Sequence, residues 1–240
     1  MISGRWRSWG WDFGLLAGLG LTIWLGAAGV THDLDLAVRS WCMDHDPSWA
    51  RGGAVVLNHF GQGWLLTYIL GGGLTLWALV RTRSWRALLP IATAYLLVGL
   101  PTLPLKLWTH RDAPSSDLPP DISVRFFNDL AVDYSRSFPS GHVVNTLVWW
   151  PAIVLLAAVA LGRPLPVWLR RTLLIAPPII VFCTTIYLSW HWLTDDIGAV
   201  FLGLFLALLF WRLPWDRWLP RSVDHELRGP DTPPTGTSSS

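Results

Sequence analysis

The chain has 240 residues, 52% of them hydrophobic and only 14% charged. That balance excludes an ordinary soluble domain, and several apolar runs approach the roughly 20 residues that cross a bilayer, so the chain reads as a polytopic membrane protein. The net charge of +2 says little, and the 18 tryptophans suit aromatic belts at span ends rather than a platform for nucleic acid, so no nucleic-acid partner is expected.

Six spans are predicted at about 13–30, 63–81, 87–105, 142–162, 172–190 and 193–212. The expected fold is all-α, a polytopic bundle of six transmembrane helices in one domain over residues 1–222. Arg5 and Arg7 ahead of the first apolar run resemble a signal peptide, but the run is longer than a typical signal core and an uncleaved first span is preferred. Residues 31–62 alternate Asp33, Asp35, Asp44 and Asp46 with Leu34, Leu36, Trp41 and Trp49, the pattern of one or two short interfacial helices. They read as an outer connector, with a lid or a guide for lipid as the alternative.

The third span carries Pro90, Pro101 and Pro104 and delivers Lys106, the sole lysine of the chain. A compact ammonium kept where arginine fills every other basic position suits a phosphate site. Residues 107–137 form a long loop with Arg111, Arg125 and Arg136 and five aspartates, longer than an ordinary connection and therefore a candidate cap over the site. Its aspartates are expected as solvated turn formers rather than metal ligands. Residues 223–240, rich in Pro, Thr, Ser and Gly, are expected to be a disordered cytoplasmic tail.

Basic residues divide unevenly. Arg81, Arg83, Arg86, Arg163, Arg170, Arg171, Arg212 and Arg217 flank one side of the six spans, together with Arg5, Arg7, Arg221 and Arg228. That side is cytoplasmic by the positive-inside rule, which puts both termini inside and expects a plasma-membrane location. Cys42 and Cys183 fall in an outer segment and inside the fifth span, so neither a disulfide nor a metal pair is expected.

Chemistry gathers at the opposite lip, in Phe138-Pro139-Ser140-Gly141-His142 and His191-Trp192-Leu193-Thr194-Asp195. Pro139 ends what precedes it, and Gly141 leaves room for an anion against the free amides at the start of the fourth span. Asp195, one helical turn beyond His191, is placed to hold one imidazole nitrogen while the other faces a substrate, an arrangement of nucleophile and orienter. Asp196 is expected to face headgroups or water, and Thr194 can serve as the cap of the sixth helix. His32, His45, His59, His110 and His225 are read as structural.

These residues resemble the type-2 phosphatidic acid phosphatase family, which shares its active-site architecture with the vanadium haloperoxidases. The resemblance runs from about Trp64 to Trp211. The family's motifs are Lys followed seven residues later by Arg-Pro, then Pro-Ser-Gly-His, then Ser-Arg, five residues, His, three residues, Asp. The middle motif is complete. Lys106, Pro114, His191 and Asp195 are kept, whereas Ala113 stands at the first arginine position and Thr184-Thr185 at the Ser-Arg pair.

The resemblance implies a lipid phosphate or diphosphate phosphatase without cofactor or metal. His191 would form a phosphohistidine, Asp195 would orient it and His142 would act as general acid and base. Lys106, Arg111, Ser140 and Gly141 would bind phosphate, with Arg136 and Thr185 as possible auxiliaries. Two alternatives stay open: lipid headgroup or phosphoryl transfer, and a non-catalytic lipid-binding protein whose lost arginines mark a dead site. The partner expected is a membrane lipid phosphate.

Overall fold

In the computed structural model, residues 3–131 and 136–219 are described; the proposed tail, His225, Arg221 and Arg228 lie outside them. Among the described residues there is no strand, only an isolated antiparallel bridge between Asp112 and Arg136. Six helical segments are long and apolar enough to cross a membrane: Trp9–Ala27, Leu65–Thr82, Trp85–Thr109, Gly141–Leu161, Val167–Tyr187 and Leu193–Arg212. They correspond one to one with the six predicted spans.

The first span lies in α1 (Ser3–Ala27). Two short helices follow, α2 (His32–Asp44) and α3 (Ser48–Asn58), as the amphipathic pattern of the connector predicts. The second span begins as a π-helical stretch, Leu65–Gly72, and continues as α4 (Gly73–Thr82). Gly71 permits the wider turn, because a Cβ there would come within 2.8 Å of the Leu66 carbonyl oxygen. The third span ends in α5 (Leu89–Thr109), four residues beyond its predicted end, and so takes Lys106 into its last turn.

A long irregular segment holds only the single-turn α6 (Pro120–Ser123) before α7 (Gly141–Leu161), α8 (Val167–Tyr187), α9 (Leu193–Arg212) and the short α10 (Trp215–Trp218). The fifth span starts earlier than its apolar run suggests. Pro166 occupies the N-cap of α8, and Arg170 and Arg171 ride in its first turns, where long side chains can reach the headgroup layer.

α7 is the axis of the bundle: 83% of its apolar window is buried, against 22% for the first and fifth spans. It packs against α9, α8, α4 and α5, and α1 closes over α9. Pro151 lies within α7, Pro177 and Pro178 within α8, and Pro101 and Pro104 within α5, as membrane helices permit when neighbours satisfy the freed carbonyls. α7 stops at Gly162, whose φ of 65° makes the left-handed turn, and Arg81 donates to the nearby Ala160 carbonyl at 2.8 Å. Trp24, Leu76, Val80, Tyr95 and Leu100 remain exposed on the outside of the bundle, where a bilayer would cover them.

The start of α7 is stapled in place by the connector. Asn145 donates to the Gly61 carbonyl at 3.2 Å and Trp150 to that of Phe60 at 3.1 Å. A Cβ at Gly61 would lie 2.9 Å from the His142 carbonyl oxygen, so only glycine lets the connector approach this closely.

Candidate active site at the connector end of the bundle

A cavity of about 520 Å³ opens between the starts of α7 and α9, the end of α5 and the irregular segment. Lys106, Arg136, Gly141, His142, Asn145 and His191 are among the residues that line it. The two histidine rings meet edge-on with centroids 5.7 Å apart, and His142 also meets Trp190 at 5.7 Å. The ammonium of Lys106 is aimed by two carbonyls, donating to Arg136 at 2.8 Å and Ser137 at 3.1 Å. Over Gly141 the space is open, with nothing within 4 Å of where a Cβ would sit. The first intrahelical bond of α7 runs from Val144 N–H to Ser140 C=O, so the amides of Gly141 and His142 precede the hydrogen-bonded ladder.

His191 and Asp195 come together, though not through a helical turn. His191 precedes α9, on a tight reversal in which Ser189 takes a φ of 53° and Trp190 N–H returns to the Thr185 carbonyl at 3.0 Å. Asp195 is the third residue of α9, where its carboxylate accepts the Trp192 N–H at 3.0 Å and lies 3.6 Å from His191 Nδ1. A capping turn thus performs the task that the four-residue spacing assigned to a helix face. Burial pulls the His191 imidazole below its ordinary value, with Lys106 and Arg111 acting in the same direction and Asp195 opposing them. Its neutral form is therefore favoured.

Three predicted phosphate contacts lie outside the cavity lining, and two of them, Arg111 and Thr185, take other partners. Arg111 does not line the cavity: its guanidinium is fully buried, donating to Asp195 at 2.7 Å, to Asp35 at 2.5 Å and to the Val124 carbonyl at 2.9 Å. Two carboxylates and the ring of Phe126, 4.4 Å away, hold this loop arginine inward. Ser140 is fully buried, outside the cavity lining, and its N–H meets the Asp195 carbonyl at 3.3 Å. Thr185 donates to Asp196 at 2.5 Å, and both are fully buried, so Asp196 faces neither headgroups nor water.

Thr194 is not the cap of α9; that position belongs to Trp192. Asp112 departs from the expected solvated aspartates by being fully buried. Of the arginines considered as phosphate clamps, Arg136 is the one that reaches the cavity. Cys42 and Cys183, separated in the sequence reading, line one apolar cavity as free thiols.

The residues missed by sequence reasoning are Asn145 and Asp35. Asn145 sits one turn after His142 on α7 and lines the cavity, a position that helical spacing could have revealed. Asp35 carried no signal distinguishing it from Asp33 beside it.

A bundle of six membrane-length helices, with two neighbouring histidines, a lysine and an open helix start lining one cavity at one end, defines the class as a polytopic membrane protein. The PAP2 superfamily model matches residues 87–219, and the chain belongs to that superfamily. It is similar to the solved transmembrane PAP2-type phosphatidylglycerolphosphate phosphatase from Bacillus subtilis. The TM-score is 0.59 and the identity 23%, over 90% of this chain and 98% of that one, a likeness of fold. No curated protein matches the chain. Family and fold together make it a multi-pass membrane protein of a phosphatase superfamily.

Proposed function

We propose that the protein is a lipid phosphate or diphosphate phosphatase working through a phosphohistidine, with its site on the outer membrane face. The observation that carries this reading is the meeting of His142, His191 and Lys106 over open Gly141 in one cavity, with Asp195 behind His191.

Because Asp195 lies on the Nδ1 side, Nε2 of His191 is left as the attacking atom. The Nε2–P bond forms as the P–O bond to the lipid breaks, and His142 gives the leaving oxygen its proton. Water then attacks phosphorus, His142 takes the water's proton, and the N–P bond breaks to release phosphate. Lys106, Arg136 and the amides of Gly141 and His142 hold the equatorial oxygens, where charge is spread in the transition state. Arg136 supplies a second cation in a site whose motif arginines are absent. The arginine-rich flanks at the opposite end support an outward-facing site and cytoplasmic termini.

Trapping tests the mechanism. Purified protein mixed with phosphatidate labelled in its phosphate is quenched within milliseconds, and an acid-labile, base-stable label on the protein is expected in wild type and absent in His191→Ala. Release of phosphate without any labelled protein would contradict covalent catalysis. Turnover that requires an added acceptor alcohol would favour transfer, and no turnover of any lipid in either protein would favour the non-catalytic reading.

A further inference from the structure

The fully buried carboxylate of Asp35, on α2 in the connector, has no part in the chemistry above, yet every one of its contacts leads to the start of α9. One oxygen accepts the Thr194 N–H at 2.9 Å. The other accepts the Thr194 hydroxyl at 2.7 Å and the Arg111 guanidinium at 2.5 Å. The first turn of a helix leaves N–H groups without intrahelical partners, normally satisfied by a Ser, Thr, Asp or Asn at the N-cap. Here the cap is Trp192, whose side chain cannot accept, and Asp35 does the work from a distant helix. Arg111 then bridges Asp35 to Asp195, with side-chain exposure of 0% for all three groups.

We infer that Asp35 is a positioning residue of the active site, holding the start of α9 and, through Arg111, the carboxylate that orients His191. The inference rests on the proposed histidine chemistry. It makes α2 part of the catalytic scaffold rather than a lid. A lid must leave the site, and lifting α2 would abandon a buried arginine and a helix start at once.

The cluster also sets the charge behind the nucleophile. Two carboxylates against one guanidinium leave one net negative charge facing the imidazolium side of His191. Lys106 from α5, His142 from α7, and Arg136 and Asp117 from the irregular segment share the cavity with His191. His32 on α2 feels the charges of Asp35, Arg111 and Arg125. Substitutions at 35 and 111 leave the identity of these groups unchanged while altering both the hydrogen bonds of the cluster, read in kcat, and its charge, read in the acid limb. Asp35→Asn brings that charge to zero, Arg111→Gln deepens it by one, and the double variant restores the original value.

The test is kcat and KM against pH for wild type and these three variants, with short-chain phosphatidate in detergent and monodispersity checked for each protein. Asp35→Asn is expected to lower kcat by about 10- to 100-fold, the effect of a slightly misplaced catalytic group, with KM changed far less. The acid limb of kcat/KM should move down in Asp35→Asn and up in Arg111→Gln, each by roughly half a unit or more. In the double variant the limb should return to its wild-type place while kcat stays low. Packing alone would not move the limb in opposite directions. Limbs that stay put, or move together, overturn the inference.

Should Arg111→Gln not fold, Arg111→Lys keeps the charge and spans one carboxylate only; kcat should fall with the limb unmoved, and a wild-type kcat would contradict the role. A wild type inactive on every lipid would sink the proposed function and, with it, the catalytic meaning of this inference, leaving the coupling of Asp35 and Arg111 to His191 to be tested by itself. NMR titration of labelled histidine, with His191 assigned by its Asn variant, would then show the same opposite shifts or overturn them.

Discussion

In the proposed mechanism His191 must be neutral to attack, and burial keeps it below the ordinary histidine value of 6.5. Its attacking form therefore prevails at neutral pH and is lost as pH falls through that lowered value. The acid limb of kcat/KM is expected below 6.5, and a limb above it would contradict the environment described. Gly141 offers a second test. A methyl there meets no protein atom but would fill the space that the proposed mechanism gives to phosphate, so Gly141→Ala should cut kcat/KM by about 10-fold or more while Tm stays within a few degrees. At this scale the Pro-Ser-Gly-His run and the His191 to Asp195 spacing were legible because each requires its residue types close along the chain. Arg111 was misread. A loop arginine beside a phosphate motif invites that role, and nothing in the chain reveals that two carboxylates 76 and 84 residues away hold it inward.

Among the elements, α9 carries the most constraint. Its first turn is fixed by Trp192, Asp35 and Arg111, and one turn further Gly198 lies against the ring of Phe138, the residue just before Pro139. A Cβ at Gly198 would come within 2.5 Å of that fully buried ring. Gly198→Ala is expected to destabilise the detergent-solubilised protein by about 1–3 kcal/mol, read as a lowered thermal midpoint, and an unchanged midpoint would contradict the packing. The helices themselves were readable from apolar runs of bilayer length. Their ends were less so, since Lys106 and Arg170 sit where polarity suggests a loop but the helix continues. The π-helical opening of the second span was hidden, although the triple glycine at 71–73 marks where a backbone can widen.

For the whole molecule, the six helices place Arg81, Arg83, Arg86, Arg163, Arg170, Arg171, Arg212 and Arg217 towards one end and the cavity at the other, which the alternation of spans already implied. The side that each end faces is open to direct test. In protein lacking Cys183, Ser115→Cys at the exposed cavity rim should react with an impermeant maleimide on intact cells, and exposed Arg163→Cys only after permeabilisation; the reverse pattern would invert the proposed topology. What escaped sequence reading at this scale was the union of connector and site, because contacts such as Asp35 to Thr194 join segments that only the folded bundle brings together. The central claim, that paired histidines cleave a lipid phosphate, is met most directly by phosphate release. Purified wild type and His191→Ala are compared on phosphatidate, phosphatidylglycerophosphate and a polyprenyl diphosphate, each with and without EDTA. Turnover of at least one lipid that survives EDTA and falls by about 10³-fold or more in the variant is expected. Turnover that persists undiminished in His191→Ala, or that EDTA abolishes, would contradict it.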